Sequence, residues 1–168
     1  VVAMLRIADM FNKMKGYGRS YGKNIIFVGL DAREKNSAGA EALWNDISNG
    51  NLKNPVSGET ITKDKINAVV VLDILGSSLE PLNKDRKDYL IMLSGGQYTF
   101  EFTRANEGKD LGLDISTSYY GSKNFTEMFH GRVGDQKVFT GNGATCVVFT
   151  SGITMRTNKV TDTADSLD

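Results

Sequence analysis

The chain is poor in the residues that most often build disulfides and metal centres. Its 168 residues include one cysteine, Cys146, and one histidine, His130. A single cysteine excludes an internal disulfide, and a single histidine excludes a multi-histidine metal site within this chain. Cys146 lies in the apolar run Ala-Thr-Cys-Val-Val-Phe, which predicts a buried, unreactive thiol. No Cys or Asp pattern at ligand spacing surrounds His130, so we expect it in a loop or at the surface.

The chain also lacks an excess of charge and any long apolar run. Lys plus Arg and Asp plus Glu number 20 each, which gives no electrostatic basis for binding nucleic acid or an anionic membrane. No apolar run approaches the length of a membrane span. An apolar content of 40% over 168 residues is typical of one globular domain, so we expect a single domain over 1–168.

Apolar runs alternate with amphipathic segments along the chain. Helical spacing predicts a helix over 1–14, a second one that Ser37 caps and Gly50 ends, and a third over 97–107 with Tyr98 and Phe102 inward. Trp44 is expected in the core. Strands are predicted over 24–30, 68–75, 89–93, 114–119 (an edge) and 145–150, and short helical turns over 123–130 and 134–140. This alternation favours an α/β fold of three αβα layers.

Carboxylates follow several of these segments. The run Asn24–Leu30 leads into Asp31 and Glu34, Asp73 lies near the end of the second predicted strand, and Asp135 lies at the start of a predicted helical turn. Carboxylates at strand ends are what a metal-dependent hydrolase requires. The histidines that such a site also requires are missing.

Four motifs, in order, resemble those of the zinc-dependent aminopeptidase family, which includes glutaminyl cyclases and transferrin-receptor-like ectodomains. They are Leu30-Asp31-Ala32-Arg33-Glu34 with Ser37, Leu72-Asp73-Ile74-Leu75-Gly76, Gly134-Asp135-Gln136 leading to Phe149-Thr150-Ser151-Gly152, and Thr157-Asn158 leading to Asp168. The resemblance implies a zinc-peptidase (phosphorylase/hydrolase-like) fold with a mixed, mainly parallel sheet. It also implies that the chain lacks the family's first strands and last helix.

The resemblance also implies roles for individual residues. Glu34 and Asp73 match metal-binding positions and keep their chemistry. Arg33 stands where the proton-accepting Glu belongs, and Asn158 stands where a histidine ligand belongs. Gln136 replaces another histidine of the pattern, so that only two of five ligand positions survive.

Two interpretations of the acidic residues remain open at this point. Glu34 could begin a helix, where a carboxylate favours the positive end of the dipole, and Asp73 could be a turn residue. Alternatively, both are vestigial ligand positions, and Arg33 acts as an internal counter-ion where a metal once sat. Asp135 and Gln136 are expected in the adjoining cleft.

The expected function is that of a zinc aminopeptidase-like domain without activity, which binds a peptide or protein partner or serves as a structural unit. No cofactor is expected. The alternative is an active zinc-dependent aminopeptidase whose missing ligands lie outside this chain, and zinc would then be its cofactor. The family resemblance alone favours a secreted or periplasmic location.

Overall fold

The computed structural model describes residues 2–19, 21–76, 89–94, 98–109, 114–116, 122–124, 126–127, 134–152, 159–161 and 163–164. Its helices are α1 (Val2–Gly16), α2 (Ala38–Ser48), α3 (Thr99–Lys109) and α4 (Gln136–Gly141), with a 3-10 turn at Lys63–Lys65. Its strands are β1 (Val69–Leu72), β2 (Tyr89–Leu93), β3 (Asp114–Ser116) and β4 (Cys146–Thr150). The chain therefore has an α/β fold, as the alternating pattern predicts.

The four described strands form one mixed sheet in the order β1-β4-β2-β3. Strand β4 pairs in parallel with β1, with Val69 opposite Cys146, and antiparallel with β2. Strands β2 and β3 are parallel. Since β1 and β4 run the same way, their carboxyl ends, which carry Asp73 and Ser151, meet at one edge of the sheet.

The two faces of the sheet are both covered by apolar side chains. Alternate residues of β1, β4 and β2 form one cluster, made of Val69, Val71, Cys146, Val148, Ile91 and Leu93. On the opposite face Phe149 packs edge-on against Phe102 of α3, with ring centroids 5.0 Å apart. Cys146 is buried as expected, and burial raises the pKa of its thiol to about 11.

A second cluster joins α2 to α4. Trp44 and Ile47 of α2 pack with Val138 and Phe139 of α4, and the Trp44 and Phe139 rings meet edge to face with centroids 6.0 Å apart. The core position of Trp44 is confirmed. Val69 touches both this cluster and the sheet cluster, so the pair of helices lies against the sheet.

The N-terminal end of α2 differs from the expectation in one respect. Ser37 stands at the cap position, but its side chain makes no capping hydrogen bond. Its φ of 61° lies in the left-handed region. In this conformation the Ser37 amide donates to the Arg33 carbonyl and closes a turn. The Gly50 end of the helix is confirmed, since Gly50 has a φ of 69° and its amide donates to the Ile47 carbonyl.

The predicted strand over 24–30 is wrong. These residues have no strand assignment, and four consecutive side chains, from Ile25 to Val28, are exposed. An apolar β-branched run is a necessary condition for a buried strand, but the strand itself needs hydrogen-bonded neighbours. No described strand pairs with this segment. The Phe27 ring lies 6.4 Å from that of Phe11 in α1, and Leu30 packs against buried residues of α2 and α4.

Two further expectations need correction. The second strand is shorter than 68–75 and only half-buried, because β1 has a described neighbour on one side only and Val70 is 53% exposed. Tyr98 does not face inward: it precedes α3 with a φ of 61° and is exposed, while Phe102 alone packs on the sheet.

The remaining elements agree with the sequence as far as they are described. The predicted helix over 1–14 corresponds to α1, the turn over 134–140 to α4, and the strands over 89–93 and 145–150 to β2 and β4. Strand β3 covers the start of 114–119. Half of 123–130, including His130, and the position Asn158 lie outside the described residues. No helix in the described segments is both long and apolar enough to span a membrane.

Candidate functional site

Four segments converge at the carboxyl edge of β1 and β4. The backbone of 73–74 is tied to the end of β4, because the Asp73 amide donates to the Phe149 carbonyl and the Ser151 amide donates to the Ile74 carbonyl. The loop over 31–37 and the start of α4 complete the cluster. Lys137 of α4 donates to the Asn36 side chain over 2.7 Å, a contact that spans 101 positions of sequence.

The central contact of this site is an ion pair. Arg33 Nη1 donates to Asp73 Oδ1 over 2.6 Å, and the two side chains are 37% and 17% exposed. Arg33 is held in place by the turn before α2, in which the Ser37 amide donates to the Arg33 carbonyl. Asp73 is held by the strand end, so the two charges are presented by separate elements.

Asp135 and Gln136 lie beside this pair at the start of α4. Gln136 is fully buried, and Asp135 is partly buried and close enough to Asp73 to act on its titration. Asp135 Oδ1 is a buried atom without a hydrogen-bond partner among the described residues. Gly134 is required here, since a Cβ at this position would lie 2.3 Å from Gln136 Oε1 and its φ is 81°.

Burial dominates the titration of Asp73. Loss of solvent raises the pKa of its carboxyl, the neighbouring Arg33 charge and hydrogen bond oppose that rise, and the Asp135 charge adds to it. The net direction is upward. The guanidinium therefore offsets only part of the effect that burial and the Asp135 charge have on the pKa of Asp73.

Glu34 stands apart from this arrangement. It is exposed and makes no ion pair or hydrogen bond with another residue in the described part of the chain. The helix-start interpretation of Glu34 is wrong, because α2 begins at Ala38 and its first turn carries Glu41. The counter-ion hypothesis places Arg33 between two carboxylates. Arg33 contacts Asp73, but it does not contact Glu34.

No local pattern in the sequence predicts the strained backbone of the loop that carries Arg33. Ala32, Asn36 and Ser37 all have positive φ, between 53° and 61°, which non-glycine residues seldom adopt. Nor did the sequence show that Gly39 abuts Asp31, where a Cβ would lie 2.5 Å from the Asp31 carbonyl oxygen. The available signal for this close contact was Gly39 itself, a glycine at the second position of the helix.

The described residues do not fit a zinc centre. No three Asp, Glu, His or Cys side chains within the described ranges converge at ligand spacing. One carboxylate oxygen of Asp73 is already bound by a guanidinium, which a metal ligand would have to give up. Comparisons with models of protein families, with curated proteins and with solved structures found no match for this chain.

Proposed function

We propose that this chain is a non-catalytic domain of zinc-aminopeptidase type, in which a fixed ion pair has replaced the metal. The observation that carries the proposal is the 2.6 Å hydrogen bond from Arg33 to Asp73 at the carboxyl edge of the sheet. By the family resemblance, Arg33 stands at the position of the proton acceptor and Asp73 at that of a metal ligand. The contact joins these two positions. The domain then binds a peptide or protein partner, or acts as a structural unit.

The chemistry of Arg33 supports the loss of hydrolysis. A general base must accept a proton from water near neutral pH, and a guanidinium is already protonated throughout that range. The other described carboxylate of the cluster, Asp135, lies close enough to Asp73 for its charge to raise the pKa of Asp73. With the base position inverted in charge, the position that activates water in the family carries no proton acceptor.

The arrangement of helices supports the three-layer part of the proposal. Helices α2 and α4 contact the sheet through Val69, while α3 contacts the other face through Phe149. Two of the three strand pairings are parallel, in line with a mixed, mainly parallel sheet. The proposed secreted or periplasmic location has the family resemblance as its only support.

The test measures zinc and peptidase activity in the same preparation. The purified chain is incubated with excess zinc, freed of unbound ions, and assayed for bound zinc by elemental analysis and for hydrolysis of aminoacyl arylamides. We expect zinc far below one ion per chain and no turnover. The matched variant Arg33→Glu restores an acidic group at the base position; a gain of bound zinc in that variant alone would strengthen the proposal.

The second outcome is the active enzyme. Stoichiometric zinc together with turnover that Glu34→Ala abolishes would contradict our proposal and favour an aminopeptidase that obtains its other ligands elsewhere. Glu41→Ala serves as the control, because Glu41 is an exposed carboxylate in the first turn of α2. Turnover that persists unchanged in both variants would point to a contaminating peptidase.

A further inference from the structure

An exposed apolar segment precedes the site, and the described part of the chain leaves its backbone unpaired. Ile25, Ile26, Phe27 and Val28 are 45%, 47%, 40% and 36% exposed. All four side chains are in part open to solvent, although the Phe27 ring also lies near Phe11 of α1. Among the described residues, the backbone of 23–31 makes no backbone hydrogen bond. Such a segment is a template for pairing with another strand.

The sequence of the segment is suited to pairing with itself. It is uncharged from 24 to 30, rich in β-branched and aromatic residues, and free of proline. Lys23 precedes it and Asp31 follows it, each four positions from Phe27. In an antiparallel pair with a twofold axis at Phe27, every residue i lies opposite residue 54−i of the second copy.

In that register, opposite charges face each other and the facing apolar residues are complementary in size. Lys23 of each copy lies opposite Asp31 of the other, at both ends of the pair. Ile25 lies opposite Gly29, a large residue against a small one, and Ile26 lies opposite Val28, a β-branched pair of the kind that stabilises sheets. A shift of register by one residue would break all of these matches and exchange the two faces.

We propose that residues 24–30 form an interface between two copies of this chain, by antiparallel strand pairing about Phe27. The interface is isologous, so each copy contributes the same segment. The symmetric placement of Lys23 and Asp31 is what selects a second copy over an unrelated strand. The proposal does not depend on the function of the Arg33 site.

Sedimentation of the full 168-residue chain across a wide concentration range tests the charge pairing. We expect a monomer–dimer equilibrium. Lys23→Asp and Asp31→Lys should each raise the dimer dissociation constant about tenfold, since two attractive pairs become two repulsive ones. The double variant Lys23→Asp/Asp31→Lys should restore dimerisation, and Lys53→Asp, which makes the same charge change at an exposed site, should leave it unaltered.

A disulfide at the axis tests the register without altering any charge. Phe27→Cys places a thiol opposite its own copy, where paired Cα atoms lie within about 5.5 Å, in the range that a disulfide spans. Mild oxidation should give a covalent dimer. Val56→Cys should give no covalent dimer although Val56 is 94% exposed, and the buried Cys146 should not compete.

Three results would overturn the proposal. One is a wild-type chain that stays monomeric at every concentration. Another is equal crosslinking of the Phe27→Cys and Val56→Cys variants. The third is a monomer in which the amides of 24–30 resist hydrogen exchange, because the segment would then be covered from within its own chain.

Discussion

At the residue scale, the Arg33–Asp73 pair is the feature that most separates this site from a metal centre. A half-buried carboxylate next to a second carboxylate needs a positive neighbour, and the guanidinium supplies it through a short hydrogen bond. Because Arg33 is more than one third exposed, solvent screens part of this attraction. The pair therefore contributes less to stability than a fully buried pair would.

Replacing the guanidinium should expose this dependence. Arg33→Met keeps most of the aliphatic stem but leaves Asp73 without its donor. We expect the free energy of unfolding to fall by about 1 kcal/mol, and the pKa of Asp73 to rise further. Urea unfolding and a carboxyl NMR titration would measure the two effects.

The matched control is an ion pair on a helix surface. Lys13→Met removes a cation from the Lys13–Asp9 pair of α1, where both side chains are well exposed. That change should cost less than about 0.5 kcal/mol. Equal losses in the two variants would contradict a special role for Arg33.

At the scale of elements, the contact between α2 and α4 fixes the position of the site. Helix α2 begins just after the loop that carries Arg33, and α4 begins at Gln136, so the packing of Trp44 on Phe139 sets the distance between these two ends. The bond from Lys137 to Asn36 then ties the ends together. The geometry of the site depends on a hydrophobic contact outside it.

Trp44→Ala should therefore affect both stability and the site. Loss of a nearly buried aromatic side chain leaves a cavity, and we expect the free energy of unfolding to fall by about 3 to 5 kcal/mol. Denaturant unfolding measures the loss. Val56→Ala, at a residue that is 94% exposed, should change it by less than about 0.5 kcal/mol. A small effect at Trp44 would mean that the two helices pack independently of its ring.

At the scale of the whole molecule, the raised pKa of Asp73 links the site to global stability. The folded state binds a proton at Asp73 more readily than the unfolded state does. The free energy of unfolding due to this group therefore falls as the pH rises, from the ordinary Asp pKa of about 4 up to the raised value. Above that window its contribution is constant.

Comparison with Asp73→Asn isolates this contribution, because all other titrating groups are shared. The stability of the wild type minus that of the variant should decrease as the pH is raised through the window. Urea unfolding at a series of pH values measures the difference. A difference that increases with pH would show that Arg33 outweighs burial and holds the pKa of Asp73 below its ordinary value.

The sequence predicted the local features of this molecule well. Helical spacing located α1, α2 and α3, and apolar runs located β2 and β4, because these patterns depend on neighbours within one element. The core position of Trp44 and the burial of Cys146 follow for the same reason. The acidic residues come at the ends of apolar runs in the sequence, and this position already indicated that they lie at the ends of elements.

The sequence by itself determined the α/β class, the balanced charge and the residue types available to the site. Only the tertiary structure decided that Arg33 contacts Asp73 across 40 positions and does not contact Glu34, and that 24–30 is left unpaired by the described strands. The physical reason is that an apolar pattern states what a segment can bury. Which partner it finds depends on the strand order and on backbone turns, such as the strained one over 32–37, that no local pattern encodes.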